Sequence, residues 1–138
     1  MYFIKALGIL AASSLSLAGN LTVLDVKVVK DIPASECKIQ ASNGDIVSVH
    51  YSGSLEGSSE VFDSSYGRGV PIQFELGSGQ VIQGWDEGIL GMCIGEEREL
   101  RIPSKLGYGS RGAGAVIPPD SDLFFRTSLV DIRRRDEL

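Results

Sequence analysis

The sequence predicts an α+β fold: one antiparallel sheet of five strands, with a single short helix lying across its apolar face. Two patterns and one composition carry that expectation. Apolar and polar residues alternate at period two in five separate runs, the spacing of half-buried strands. One other segment shows the three-to-four spacing of an amphipathic helix. Glycine supplies 17 of the 138 residues, about 12% against about 7% in ordinary proteins. Each interior helix glycine costs about 1 kcal/mol relative to alanine, so that density argues for turns and against a helical bundle.

The elements follow in chain order. Leu24, Val26 and Val28 alternate with Asp25 and Lys27 until the pattern lapses at Val29. Val47, Val49 and Tyr51 form one face of the next run, with Ser48, His50 and Ser52 on the other. Ile72, Phe74 and Leu76 then alternate with Gln73 and Glu75. In the helical segment Val81–Met92, Ile82, Trp85, Ile89 and Met92 make one apolar stripe, and its glycines let the helix lie close to the sheet. Leu100 and Ile102 alternate with Glu99 and Arg101 until Pro103 ends the ladder. Leu123, Phe125, Thr127 and Leu129 form the last inner face, opposite Phe124, Arg126, Ser128 and Val130. Between them, Pro103 to Asp122 has no period at all; a loop of about 20 residues in so small a domain is usually functional.

The chain ends predict where the protein works. After Lys5, residues 6–17 are uncharged and mostly apolar, too short for a bilayer span of about 20 residues. Ser16 and Ala18 then supply small residues at the −3 and −1 positions of a cleaved secretory signal peptide, residues 1–18. Cleavage removes Lys5 alone and leaves 12 basic against 18 acidic residues, a net charge of −6. Residues 19–29 are expected as an N-terminal extension, 30–132 as the functional domain and 133–138 as a basic tail. The tail ends Arg135-Asp136-Glu137-Leu138, similar to the retrieval signal of the endoplasmic reticulum with arginine in first place. In that oxidising lumen Cys37 and Cys93 most simply pair as one structural disulfide; the rival, a free catalytic thiol, has only His50 as a base. Asn20-Leu21-Thr22 matches a glycosylation sequon beside the expected mature terminus.

Several function classes fall away. An acidic chain lacks the basic face that nucleic acid requires. One histidine and two cysteines are too few for a multi-ligand transition-metal site, so no metal and no cofactor are expected. Gly107 to Gly112 fits the G-x-G-x-x-G expression, but Pro118-Pro119 follow where a dinucleotide site needs a helix. Asp86-Glu87 and Glu96-Glu97 are adjacent like charges, expected on a solvated face rather than as a catalytic pair. What remains is a set of aromatic and branched residues at strand ends and in loops, the material of an apolar pocket with a few polar tips.

Within that set the strings Val49-His50-Tyr51-Ser52-Gly53, Phe62-Asp63-Ser64-Ser65, Phe74-Glu75-Leu76-Gly77, Val81 to Gly88, Tyr108-Gly109 and Ile117-Pro118-Pro119 resemble the FKBP-type peptidyl-prolyl isomerases in order and approximate spacing. The match covers about residues 30–132 and is nearest the small secreted members of the endoplasmic reticulum. The resemblance implies a five-stranded antiparallel sheet wrapped around one short helix. It implies a pocket with Trp85 as its floor and Tyr51, Phe62 and Phe125 as walls, lined further by Ile72, Phe74, Val81, Ile82 and Ile117. Asp63 would hold the polar edge and the Tyr51 hydroxyl; Tyr108 O–H and Ile82 N–H would meet substrate carbonyls. The implied activity is cis-trans isomerisation of X-Pro bonds during secretory protein folding. The alternatives are a chaperone that binds proline segments and a receptor for tacrolimus- or rapamycin-type macrolides. The implied partners are therefore proline-containing polypeptides and such macrolides, met by a monomer with no membrane span after cleavage. Two positions depart from relatives: Ile72, where cytosolic members often carry an aromatic, and Ala113, where several have histidine. Both imply altered preference for the residue before proline.

Overall fold

The computed structural model describes residues 19–134; the expected signal peptide and the last four residues of the tail lie outside them. Among the described residues no helix is long and apolar enough to cross a membrane. Six strands form one antiparallel sheet: β1 (Asp25–Lys30), β2 (Ile46–Leu55), β3 (Val61–Ser64), β4 (Ile72–Glu75), β5 (Glu97–Ile102) and β6 (Leu123–Arg133). Across the sheet the order is β1-β5-β6-β2-β3, with β4 also on β2. β4 pairs with Ile46–Val49 and β3 with Ser52–Ser54, so the two short strands share the fifth position along one edge of β2. The five expected runs are all strands, and β3 is the addition.

One helix, α1 (Gln83–Gly88), crosses the concave face. It is shorter than the stripe that predicts it: Ile82 is its N-cap and Ile89 its C-cap, while Met92 lies in the turn beyond. The stripe nevertheless does what its spacing requires. Trp85, Ile89 and Met92 are buried with Val47, Val49, Leu100, Ile102, Leu123 and Leu129 from the inner faces of β2, β5 and β6. Each such side chain contributes roughly 1.5–3 kcal/mol on leaving water. The helix glycines set the separation. A methyl group at Gly84 would lie 2.5 Å from Ile102 Cγ2, and one at Gly88 would lie 2.8 Å from Leu100 Cδ1.

Three expectations are corrected. β1 is not half-buried: all six residues are exposed, because it forms the sheet's outer edge against β5 with no layer over it. It also crosses the boundary expected at residue 30, since Asp25–Lys30 pair with Glu97–Arg101. Glu96 does not decorate a solvated face. It is 3% exposed, bonds Arg98 Nε at 2.6 Å through Oε2 and accepts the Cys93 N–H on Oε1 at 2.9 Å. Asp86 is likewise structural, accepting the N–H groups of Gly77 and Gly79 and closing the turn before α1.

Cys37 and Cys93 form the disulfide, with Cα atoms 5.6 Å apart. It ties the segment before β2 to the one after α1, where Gln40 and Cys93 also form a β-bridge. The loop between β5 and β6 is more ordered than its lack of periodicity suggests. It holds two single 3-10 turns, Ser104–Leu106 and Gly109–Arg111, and a small hairpin closed by Ala113 and Ile117.

Candidate functional site

A cavity of about 230 Å³ opens between α1, the ends of β2, β3 and β4, and the long loop. Its lining is Tyr51, Phe62, Asp63, Ile72, Val81, Ile82, Trp85, Tyr108 and Phe125, together with Gln80. Nine of the eleven expected pocket residues thus converge on one site from six separate segments. Phe74 and Ile117 do not line it. Each is 4% exposed, within the core, and Phe74 packs behind the indole with ring centroids 5.9 Å apart.

The aromatic walls brace one another edge to face, the preferred arrangement of ring quadrupoles. Around Trp85, Tyr51 stands at 4.9 Å and 77° and Phe125 at 5.3 Å and 88°. Phe62 meets Phe125 at 5.9 Å and 89°. Phe125 reaches this position because Gly53 is its cross-strand partner on β2, where any side chain would occupy the ring's space. The Trp85 indole N–H is buried and meets no acceptor among the described residues.

One edge is polar. Tyr51 O–H donates to Asp63 Oδ2 at 2.6 Å, Arg68 Nη2 donates to the Tyr51 oxygen at 2.9 Å, and Arg68 Nη1 donates to Asp63 Oδ1 at 3.0 Å. Burial works against the charged form of Asp63, but the hydrogen bonds from Tyr51 and Arg68 outweigh it and hold the carboxyl below its ordinary value. Burial and the Asp63 carboxylate push the Tyr51 phenol above its ordinary range, with Arg68 opposing. Both shifts keep Tyr51 a neutral donor and Asp63 an acceptor.

Below the edge, the fully buried Ser65 Oγ accepts the Tyr51 N–H at 2.7 Å and lies 2.8 Å from His50 Nδ1. His50 sits on the face opposite Tyr51, stacked on Tyr66 at 4.7 Å, so it belongs to this support and not to the cavity. Across the opening, Tyr108 is 41% exposed.

Sequence reasoning missed Arg68 and Gln80. A lone arginine in a glycine-rich turn carries no signal until β2 and β3 bring it to Tyr51, and Gln80 is part of the turn entering α1, its Oε1 accepting the Glu75 N–H. Among the described residues no three histidine, cysteine or acidic side chains gather as metal ligands. The chemistry the site can offer is apolar enclosure, a hydroxyl and backbone N–H groups at the start of α1.

This fold and cleft define a sheet-and-helix domain with one cleft walled by aromatic rings and edged by a few polar groups. A model of the family "FKBP-type peptidyl-prolyl cis-trans isomerase" matches residues 37–130. FK506-binding protein 2 of Kluyveromyces lactis is 67% identical over 124 residues, covering 88% of this chain and 87% of that one. Peptidyl-prolyl cis-trans isomerase FPR2 of Saccharomyces cerevisiae is 57% identical over 117 residues, covering 85% and 87%. Among solved structures, the crystal structure of AtFKBP13 superposes with a TM-score of 0.69 at 39% identity, covering 78% of this chain and 91% of that one. The chain belongs to the FKBP-type peptidyl-prolyl cis-trans isomerases.

Proposed function

We propose that this isomerase acts on X-Pro bonds of polypeptides folding in the lumen of the endoplasmic reticulum, with the prolyl ring seated on Trp85 between Tyr51, Phe62 and Phe125. The observation that carries this reading is the convergence of those four rings with one polar edge in a cavity of about 230 Å³, room for a prolyl ring with its flanking carbonyls. Rotation about the bond must overcome amide resonance, a barrier of about 18–20 kcal/mol, and unaided it takes tens to hundreds of seconds. The planar amide is more polar than the twisted one, so an apolar aromatic enclosure favours the twisted state. Each tenfold in rate needs only about 1.4 kcal/mol of that preference. Tyr108 O–H and Ile82 N–H bind the carbonyls beside proline and fix the chain on one side while the other turns. Asp63 and Arg68 hold Tyr51 in its wall.

The location is supported by the disulfide, the leader read in residues 1–18 and the Glu-Leu ending. The name of these relatives, FK506-binding protein, supports a macrolide competing for the same cleft as a prolyl mimic.

The test uses the mature chain with its disulfide intact and follows cis-trans exchange of a proline peptide by NMR. Trp85→Ala and Phe125→Ala are expected to lose at least about tenfold in kcat/KM, and the macrolide to inhibit the parent stoichiometrically. Parental rates from both variants, shown folded by their amide spectra, would refute the assignment.

A further inference from the structure

Asp122 immediately precedes β6 and is 7% exposed. Its Oδ2 accepts the Leu21 N–H at 2.7 Å and its Oδ1 the Ser104 N–H at 3.0 Å. No lysine or arginine among the described residues forms an ion pair with it. Glu56, whose N–H donates to the Asp122 carbonyl, already has its own side chain paired with Arg101. A buried carboxylate held by two amide donors therefore stands without a counter-charge, an arrangement that desolvation penalises.

Gly19 lies directly against it. The Gly19 N–H donates to the Asp120 carbonyl at 2.6 Å, and a methyl group at Gly19 would fall 2.2 Å from Asp122 Oδ1. Gly19 is also the residue that follows the small-residue boundary at Ala18. We propose that removal of residues 1–18 turns Gly19 into the counter-charge of Asp122: the mature α-ammonium fills an amine site built from the Asp122 carboxylate and the Asp120 carbonyl. This rests on the leader reading of residues 1–18. Hydrolysis of the Ala18–Gly19 bond consumes one water: its oxygen completes a carboxylate on the released leader and both its protons go to the Gly19 nitrogen, which leaves as an ammonium. That group has three N–H donors where the amide has one. One stays on the Asp120 carbonyl, and the others are available to the carboxylate that lies against Gly19.

The site selects its own terminus. A side chain at the first mature position would meet the Asp122 carboxylate, which must shift to admit it, whereas glycine docks without that shift. The docked terminus also braces the long loop, because Asp122 holds Ser104 and the Asp120 N–H donates to the Gly109 carbonyl at 2.9 Å, next to Tyr108. Processing thereby stiffens one wall of the prolyl cleft.

The test compares the chain beginning at Gly19, released from a fusion with its native amine, with the same chain N-acetylated and with one alanine placed before Gly19. NMR titration of the Gly19 Hα protons reads the amine, and hydrogen exchange reads the Leu21 amide. The amine is expected to titrate about one unit above the ordinary 7.7–8.0 range, and to return to that range in Asp122→Asn. Acetylation or the added alanine is expected to speed Leu21 exchange about tenfold. Because the acetylated chain keeps every side chain, it decides the matter even where Asp122→Asn perturbs the loop. An ordinary amine value with Asp122 intact, or unchanged exchange on acetylation, overturns the site. N-terminal sequencing of the protein from secreting cells tests the leader separately: a start other than Gly19 removes the processing step, whatever the titration shows.

Discussion

Gly53→Ala is the sharpest probe of how the cleft is built. Gly53 is the eighth residue of a ten-residue strand, inside its ladder, where alanine would ordinarily stabilise by about 0.5–1 kcal/mol through reduced chain entropy. The structure predicts the opposite sign. The new methyl would lie 2.4 Å from Phe125 Cε1 and 2.8 Å from Cδ1, against about 3.5–4.0 Å for an ordinary carbon contact. The ring must therefore retreat by roughly 1 Å. It cannot do so freely: Phe125 is 4% exposed and braced by Trp85, Phe62 and Tyr51 at 5.3, 5.9 and 6.1 Å. Overpacking of that kind costs about 1–3 kcal/mol, which for a domain of this size lowers Tm by about 4–12 °C. Because the displaced ring is a wall of the cleft, kcat/KM should fall with stability. Thermal melts and the peptide assay on the disulfide-bonded chain measure both. Adding Phe125→Leu should restore stability to Gly53→Ala without restoring activity, since it opens space but removes the ring. A variant as stable and as active as the parent would refute the reasoning.

Replacing Cys37 and Cys93 by alanine together opens a loop of 56-residue separation, expected to cost about 4 kcal/mol on the chain-entropy model; an unchanged denaturation midpoint would contradict it. Ser65→Ala leaves the buried Tyr51 N–H without its acceptor, a loss of about 1–3 kcal/mol that a urea titration would register. For Asp63 the folded value is depressed below 3.8, so its stabilising share is complete above the unfolded value and disappears as pH falls through the folded one. Subtracting the pH–stability curve of Asp63→Asn should reveal that loss only below about pH 4. It should stay within about 1 kcal/mol, because the Asp63–Arg68 pair is half exposed; a difference growing towards neutral pH would show the sign to be wrong.

Much of the fold was legible because β2 and β6 each turn large apolar side chains to one face and mostly smaller or polar ones to the other, although no residue of β2 is exposed, and period two records that alternation. β3 was illegible for the same reason. Its burial alternates but its residue types do not follow it: two apolar residues precede two polar ones, Val61 is 53% exposed and Asp63 is placed for the cleft. β1 alternates well yet is exposed, since an edge strand gains its hydrogen bonds without gaining a cover. The lining of the cleft was legible only through its motif strings, not through pattern. Trp85 alone reads as core, and it is core as well as floor, at 4% exposed. Arg68 and Glu96 show the limit most clearly. Their roles come from partners on other segments or from burial, neither of which a charge in a sequence announces.

The glycine excess has a second meaning beyond turns. Several of these residues are places where another side chain needs the volume: Gly53 for Phe125, Gly84 for Ile102, Gly88 for Leu100 and Gly19 for Asp122. Two of the four set the depth of the helix on the sheet, one sets a wall of the cleft, and one lies against a buried carboxylate. A site that works by enclosure depends on such spaces as much as on its rings. Aromatic side chains can close on a prolyl group only if the backbone behind them leaves room, and in a domain this small that room comes from residues without a side chain. Substitutions at these glycines should therefore resemble substitutions of the residues they accommodate, in activity as well as in stability.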